Sequence, residues 1–229
     1  FFGAGAEGFP KLTDKGRMAT AMNNHLNYGG HLSAQPFGAL FNFADGDPVN
    51  FPLEAGNPYK TDVARMLELV REHRPPIIVF GKSMFLHPEP VKPLRELVDA
   101  MPDYRPVIMY DGAHVMGILG PGFQDPLAEG ADVVTGSTHK TFFGPQRGII
   151  AGRLPKGSPM RKLWLEVNAR SFPGSTSNHH LGTLLAMLAA TLEMNHFKAE
   201  YQAAVLANAR AFAAACHAAG IPVEGGEAD

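Results

Sequence analysis

The sequence predicts an α/β fold built on a mostly parallel sheet flanked by helices. Two observations lead there. From about residue 60, segments with apolar residues at helical spacing alternate with short, apolar, β-branched runs. Strands separated in this way by helices are what parallel pairing requires, because each crossover must return over a face of the sheet.

The elements follow in order. The stretch "LFNFADGDPVNFPLEAGNPYKTD" is dense in Gly, Pro, Asn and Asp and reads as an irregular excursion or a short β-ribbon. "TDVARMLELVREHR" is helical, "PPIIVFG" a strand, "EPVKPLRELVDAM" a helix and "PVIMYDG" a strand, and "ADVVTGS" and "RGIIAGR" supply two more strands. Val134 and Ile149, in those last two, are both expected to face a buried sheet. Beyond "FPGSTSNHH", residues 181–219 carry Leu, Ala and Met with interleaved charge, which predicts two long helices split near His196. His179 and His180 read as a helix start, because adjacent histidines lack metal-ligand spacing. Met187 and Met194, sharing a face with Leu184 and Leu188, are expected to fill core, as is Met66. Ile221–Val223 reads as the start of a strand.

Composition narrows the function. A chain of 229 residues, 45% hydrophobic and 18% charged, can bury a sizeable core. Its 20 basic and 22 acidic residues are spread evenly, without the basic stripe that grips phosphate backbones, so no nucleic-acid partner is expected. Cys216 is the only cysteine and sits in a helical pattern, which fits a reducing, cytoplasmic compartment. No apolar run approaches the roughly 20 residues of a membrane span, so no membrane partner is expected. The glycines of "GPGFQ" open no helix after a strand, which argues against a dinucleotide site.

Ligands of open α/β sheets bind beyond the carboxyl ends of the strands. Three such ends carry chemistry here: "GKS" after "IIVF", "DGAH" after "VIMY", and "GSTHK" after "ADVV". Asp111 is costly at an apolar strand end without a cation or donor. Lys140, partly desolvated at the next strand end, would be a usable nucleophile or base, able to form a Schiff base. A carboxylate for a ring nitrogen together with such a lysine is the pairing of a pyridoxal-phosphate site, although a structural ion pair offers the same two residues. The Gly29–Gly30 pair would let backbone approach a flat ligand.

"LNYGGHLS", "DGAHVMGI", "ADVVTGSTHKTFFGPQRG" and "SFPGSTSN", in this order, resemble the serine hydroxymethyltransferase family, from roughly residue 20 to the end. The resemblance implies the large domain of a fold-type I, pyridoxal 5'-phosphate-dependent transferase over residues 1–195, lacking its N-terminal part, and a truncated start of the smaller C-terminal domain over residues 196–229. It makes Lys140 the cofactor-linking lysine, Asp111 the partner of the pyridine nitrogen, His114 a contact near the phenolic oxygen and His31 the imidazole stacked on the ring. Ser83, Ser137 and His139 would contact cofactor or phosphate, and Leu26 and Gly30 would line a tetrahydrofolate site. No metal is implied. The implied activity interconverts serine and glycine in one-carbon metabolism, in a cytoplasmic homodimer with a shared active site.

Departures from the family pattern stand at Ser177 and Asn178, at Gln146 and Arg147, and at Tyr28. They motivate a second reading, a folate-independent threonine aldolase or transaldolase cleaving or forming the Cα–Cβ bond. A third is a catalytically inactive homologue that uses the same surface for partner binding. The family's phosphate-cradling loop and substrate-carboxylate arginine are expected outside these residues, which points to a fragment of a longer protein.

Overall fold

The computed structural model describes residues 13–38, 43–153, 157 and 160–224. Its first strand is short, β1 (Met22–Asn23), and is followed by β2 (Val49–Asn50), the antiparallel ribbon β3 (Leu53–Glu54) with β4 (Asn57–Thr61), and helix α1 (Val63–His73). Then come β5 (Ile77–Phe80), α2 (Val91–Asp99), β6 (Val107–Asp111), β7 (Val133–Ser137), β8 (Gly148–Gly152), α3 (Arg161–Ala169) and α4 (Leu181–Ala218). Six strands form one sheet in the order β2-β1-β5-β6-β7-β8, every neighbouring pair parallel except β7 with β8. The expected mostly parallel α/β sheet flanked by helices is thus present.

Alternation along each strand divides the core between two faces. Ile78, Phe80, Ile108, Tyr110 and Val134 enter one cluster with Met66 and Val70 of α1 and Val91 and Leu94 of α2. Their neighbours Ile77 and Val107 pack against Met160, the N-cap of α3, and Leu163 and Val167 within it, so that α3 covers the other face. Full burial of such a side chain is worth about 1.5–3 kcal/mol, so the central strands are the anchor of the fold. Helix ends are fixed locally: the Asp62 side chain accepts the Arg65 N–H at 3.0 Å to start α1, and Arg74, at φ 44°, ends it.

The irregular excursion does hold a ribbon, Leu53–Thr61, but it also contributes β2 to the edge of the main sheet; residues 39–42 lie outside the described residues. Two-residue strands such as β1 and β2 carry too little periodicity to be read from sequence.

Four expectations are corrected. Residues 181–218 form one helix running through His196, because nothing in the sequence around it breaks an uninterrupted run of good helix formers. Leu184 and Leu188 are exposed, at 57% and 56%, since the helix packs on the core cluster only farther along, through Val205 and Leu206. Val134 is buried but Ile149 is exposed, because β8 is an edge strand. Residues 221–223 form no strand among the described residues. His180 does stand at the N-cap of α4, and Met66 and Met194 are buried.

Ile108, fully buried at the centre of the sheet, tests this packing. Ile108→Ala in the intact protein is expected to cost about 2–5 kcal/mol in urea unfolding with an unchanged denaturant slope. A loss below about 1 kcal/mol would contradict the packing described.

Candidate functional site

Parallel register sets the carboxyl ends of four strands side by side. Asn23 is paired with Val79, Phe80 with Tyr110, and Asp111 with Thr135. The segments leaving those ends therefore emerge along one edge: 24–35 after β1, 81–84 after β5, 112–118 after β6 and 138–147 after β7. These segments carry His31, Ser83, His114 and Lys140, and Asp111 and Ser137 are the last residues of β6 and β7.

Each segment is held by its own polar anchors. After β6, the Asp111 carboxylate accepts the Ala113 N–H at 3.1 Å, which bends the chain at once. Gly81, at φ 144°, lies against this residue: a Cβ placed there would stand 2.6 Å from the Asp111 Cβ. Only glycine fits. After β7, fully buried Thr138 closes the loop, its hydroxyl facing the Pro145 and Arg147 carbonyls at 2.7 and 3.0 Å. Lys140 rides on the outer part of that loop, its ammonium donating to Ser137 Oγ at 3.0 Å.

Thr141 knits the lysine loop to the histidine turn. Its hydroxyl donates to the His114 carbonyl at 2.9 Å and accepts the Gly117 N–H at 3.1 Å, and a Cβ on Gly117 would come within 2.1 Å of the Thr141 carbonyl. Gln202 of α4, buried, donates to the Leu119 carbonyl at 2.9 Å and seats the long helix over the same turn.

The His31 and His114 rings face each other at 6.0 Å between centroids, tilted by 50°. His31 Nδ1 accepts the Ser33 N–H at 3.1 Å, which orients the ring. His114 has its pKa held below the usual histidine value by partial burial first, then by the Lys140 ammonium and by His31, with Asp111 opposing. That balance is itself a sign that the four groups share one electrostatic environment, with His114 neutral at pH 7.

The remaining expected residues fall around this edge. His139 is exposed beside Lys140, Leu26 is half-buried in the turn before Gly29, and Gly30 is buried. The glycine pair serves the chain itself: Gly29 sits at φ 94° with the Met84 carbonyl 2.9 Å from any added Cβ, and a Cβ on Gly30 would meet the Asn24 carbonyl at 2.5 Å. Arg147 is engaged with the start of α4, donating to the Thr183 hydroxyl at 2.9 Å and the His180 carbonyl at 2.9 Å. Tyr28, Gln146, Ser177 and Asn178 are exposed.

The expected desolvation of Lys140 is corrected. Lys140 is exposed because its loop turns outward over Thr138, and the lysine buried at a strand end is Lys82, directly after β5. Its ammonium lies 3.0 Å from Glu89 and donates to the Tyr59 carbonyl at 2.7 Å, with both side chains of the pair almost wholly buried. Burial pushes the Glu89 carboxyl above the usual range, and Lys82 pulls it back first among the opposing influences. Sequence reasoning missed this pair, since "FGKSMFLHPEP" places a lysine and a glutamate on no common helix face or strand pair.

A mostly parallel sheet with helices on both faces is the architecture of a fold-type I domain. The comparisons then fix the family. The serine hydroxymethyltransferase family model matches residues 16–229, and the chain belongs to that family. It is 39% identical over 207 residues to the serine hydroxymethyltransferase of Archaeoglobus fulgidus, covering 90% of this chain and 44% of the relative. Identity to that of Thermococcus kodakarensis is 39% over 216 residues, covering 93% and 48%. For Methanocella arvoryzae it is 46% over 155 residues, covering 67% and 34%. The chain therefore spans less than half the length of these relatives.

The donor set suits pyridoxal phosphate: an amine, an acceptor for a ring N–H, and imidazoles beside them. Among the described residues, no group of three or more His, Cys, Asp or Glu could hold a metal ion, and no helix is long and apolar enough to cross a membrane.

The electrostatic coupling has a direct check. By NMR titration of the imidazole resonances, His114 is expected to protonate below its ordinary 6.5, and in Lys140→Ala its midpoint is expected to rise. An unmoved midpoint would separate the two residues.

Proposed function

We propose that the chain is the cofactor-binding part of a pyridoxal-phosphate-dependent serine hydroxymethyltransferase that interconverts serine and glycine with tetrahydrofolate. The observation that carries this reading is the arrangement of Asp111 at the end of β6 and Lys140 just beyond the end of its paired strand β7, on one edge of the sheet.

In this reading Lys140 holds the cofactor through its amine, and its exposed place on the loop leaves it free to exchange with an incoming amino acid. Asp111, an acceptor, keeps a proton on the ring nitrogen. When bound, pyridoxal phosphate supplies an electron-withdrawing ring that stabilises negative charge at the substrate α-carbon. His31 packs its imidazole against the ring. His114, neutral at pH 7, is able to donate from one nitrogen to an oxygen of the ring or accept with the other. Ser83, Ser137 and His139 supply further polar contacts, and Leu26 and Gly30 border the place of the folate. The catalytic group is thus Lys140, His31 and Asp111.

We further assign residues 1–195 to the large domain and 196–229 to the beginning of a smaller C-terminal domain, with α4 spanning the boundary. A cytoplasmic homodimer whose subunits share the site accords with the family and with the long exposed apolar face of α4.

Visible absorption of the intact protein incubated with pyridoxal phosphate tests the assignment. Wild-type protein is expected to develop a stable protein-bound band and to form serine from glycine when a one-carbon folate is supplied. Lys140→Ala is expected to lose the covalently held band and at least about a thousandfold in turnover, a loss of the order seen when a covalent nucleophile is removed. Equal bands in both proteins would overturn the role of Lys140.

A further inference from the structure

A buried ion pair is weak evidence of stability. Removing two charges from water is costly, and replacing both with apolar groups is often neutral. Its best-attested use is to fix one arrangement among several. Lys82 immediately precedes Ser83 and forms a backbone bridge with Gly30, and neither it nor Glu89 has a part in the chemistry proposed above.

Glu89 is itself clamped. Its N–H donates to Gln124 Oε1 at 3.0 Å, and Gln124 Nε2 donates back to its carbonyl at 2.6 Å. Tyr110 of β6 donates to the same Gln124 oxygen at 2.9 Å, which ties the clamp to the centre of the sheet. The Glu89 backbone is therefore a fixed anchor, and its buried carboxylate is presented to Lys82 from it. Lys82 reaches it across 3.0 Å and spends a second donor on Tyr59 of the ribbon.

The backbone around Lys82 in turn holds the turn that presents His31. Ser83 N–H donates to the Gly29 carbonyl at 2.6 Å, and Gly30 and Lys82 form an antiparallel bridge. Gly29 and Met84 are in such close approach that a Cβ on Gly29 would strike the Met84 carbonyl. Lys82 and Ser83 are thus both bound through their backbone to the glycine turn, so pinning the Lys82 side chain also restrains Ser83.

We propose that Lys82 and Glu89 are positioning residues: their buried ion pair fixes segment 81–84, and through it the Gly29–Gly30 turn, so that His31 and Ser83 face Lys140, Asp111 and His114. Its bearing on cofactor binding rests on the function proposed above. The pair acts through backbone register and touches no reacting atom.

The test uses hydrogen exchange on the intact protein without added cofactor, followed by pyridoxal-phosphate titration. Lys82→Met alone leaves Glu89 buried without its cation and is expected to destabilise the whole fold. The double variant Lys82→Met/Glu89→Leu removes that uncompensated charge. In it, the β6 amides of Ile108 and Tyr110 are expected to keep wild-type protection, while the Ser83 and Gly30 amides exchange at least about tenfold faster. The dissociation constant for pyridoxal phosphate is expected to rise about tenfold, the effect of a loosened supporting shell.

Wild-type exchange at Ser83 and Gly30 in the double variant would overturn the proposal, as would faster exchange with an unchanged dissociation constant. Equal loss of protection throughout the sheet would reduce the pair to general stability and overturn it too. Wild-type protein that takes up no pyridoxal phosphate would overturn the functional reading instead, and the exchange comparison would still decide the role of the pair in holding the turn.

Discussion

Parallel register between β1, β5, β6 and β7 is the constraint on which the rest depends. Antiparallel neighbours would send successive strand ends to opposite edges of the sheet. Here each crossover returns the chain to the same edge, so four separate loops meet with no contact in sequence between them. The apolar residues that enforce this register, from Ile78 to Val134, pack the sheet and so determine where the candidate chemistry stands.

Above that layer, polar groups take over from hydrophobic ones. Packing alone is nondirectional and tolerates small shifts, whereas a hydrogen-bonded loop has one arrangement. Thr138 closes the lysine loop, Thr141 ties it to the histidine turn, and Lys82 with Glu89 fixes the floor. Two glycines complete this by making room: Gly81 for Asp111 and Gly117 for Thr141. Gradation from apolar core to buried polar network to half-exposed reactive groups is what an exchangeable ligand demands. The groups must be held firmly and still be reached from outside.

The contrast between the two lysines shows the limits of reading chemistry from position. Both follow apolar strands, and elementary electrostatics assigns a cost to burying either. Lys140 escapes that cost because its loop turns outward; Lys82 meets it with Glu89 and the Tyr59 carbonyl. Arg147 likewise stands in a motif near the site, but its guanidinium is engaged with the first turn of α4.

Local pattern by itself determined the alternation of helices and strands from α1 to β8, the strand ends carrying Asp111 and Lys140, and the motifs that mark the serine hydroxymethyltransferase family. Those features are set by periodicity and by side-chain chemistry within a few residues, and both are written along the chain. Tertiary structure decided what depends on distant partners. It recruited β1 and β2, too short to show a period, and kept α4 whole through His196 with its Leu184 face exposed. It also matched Lys82 with Glu89 and Tyr59, and Thr141 with Gly117. Such pairings have no local signature, because the energy that makes them favourable exists only once the sheet has brought the strand ends together.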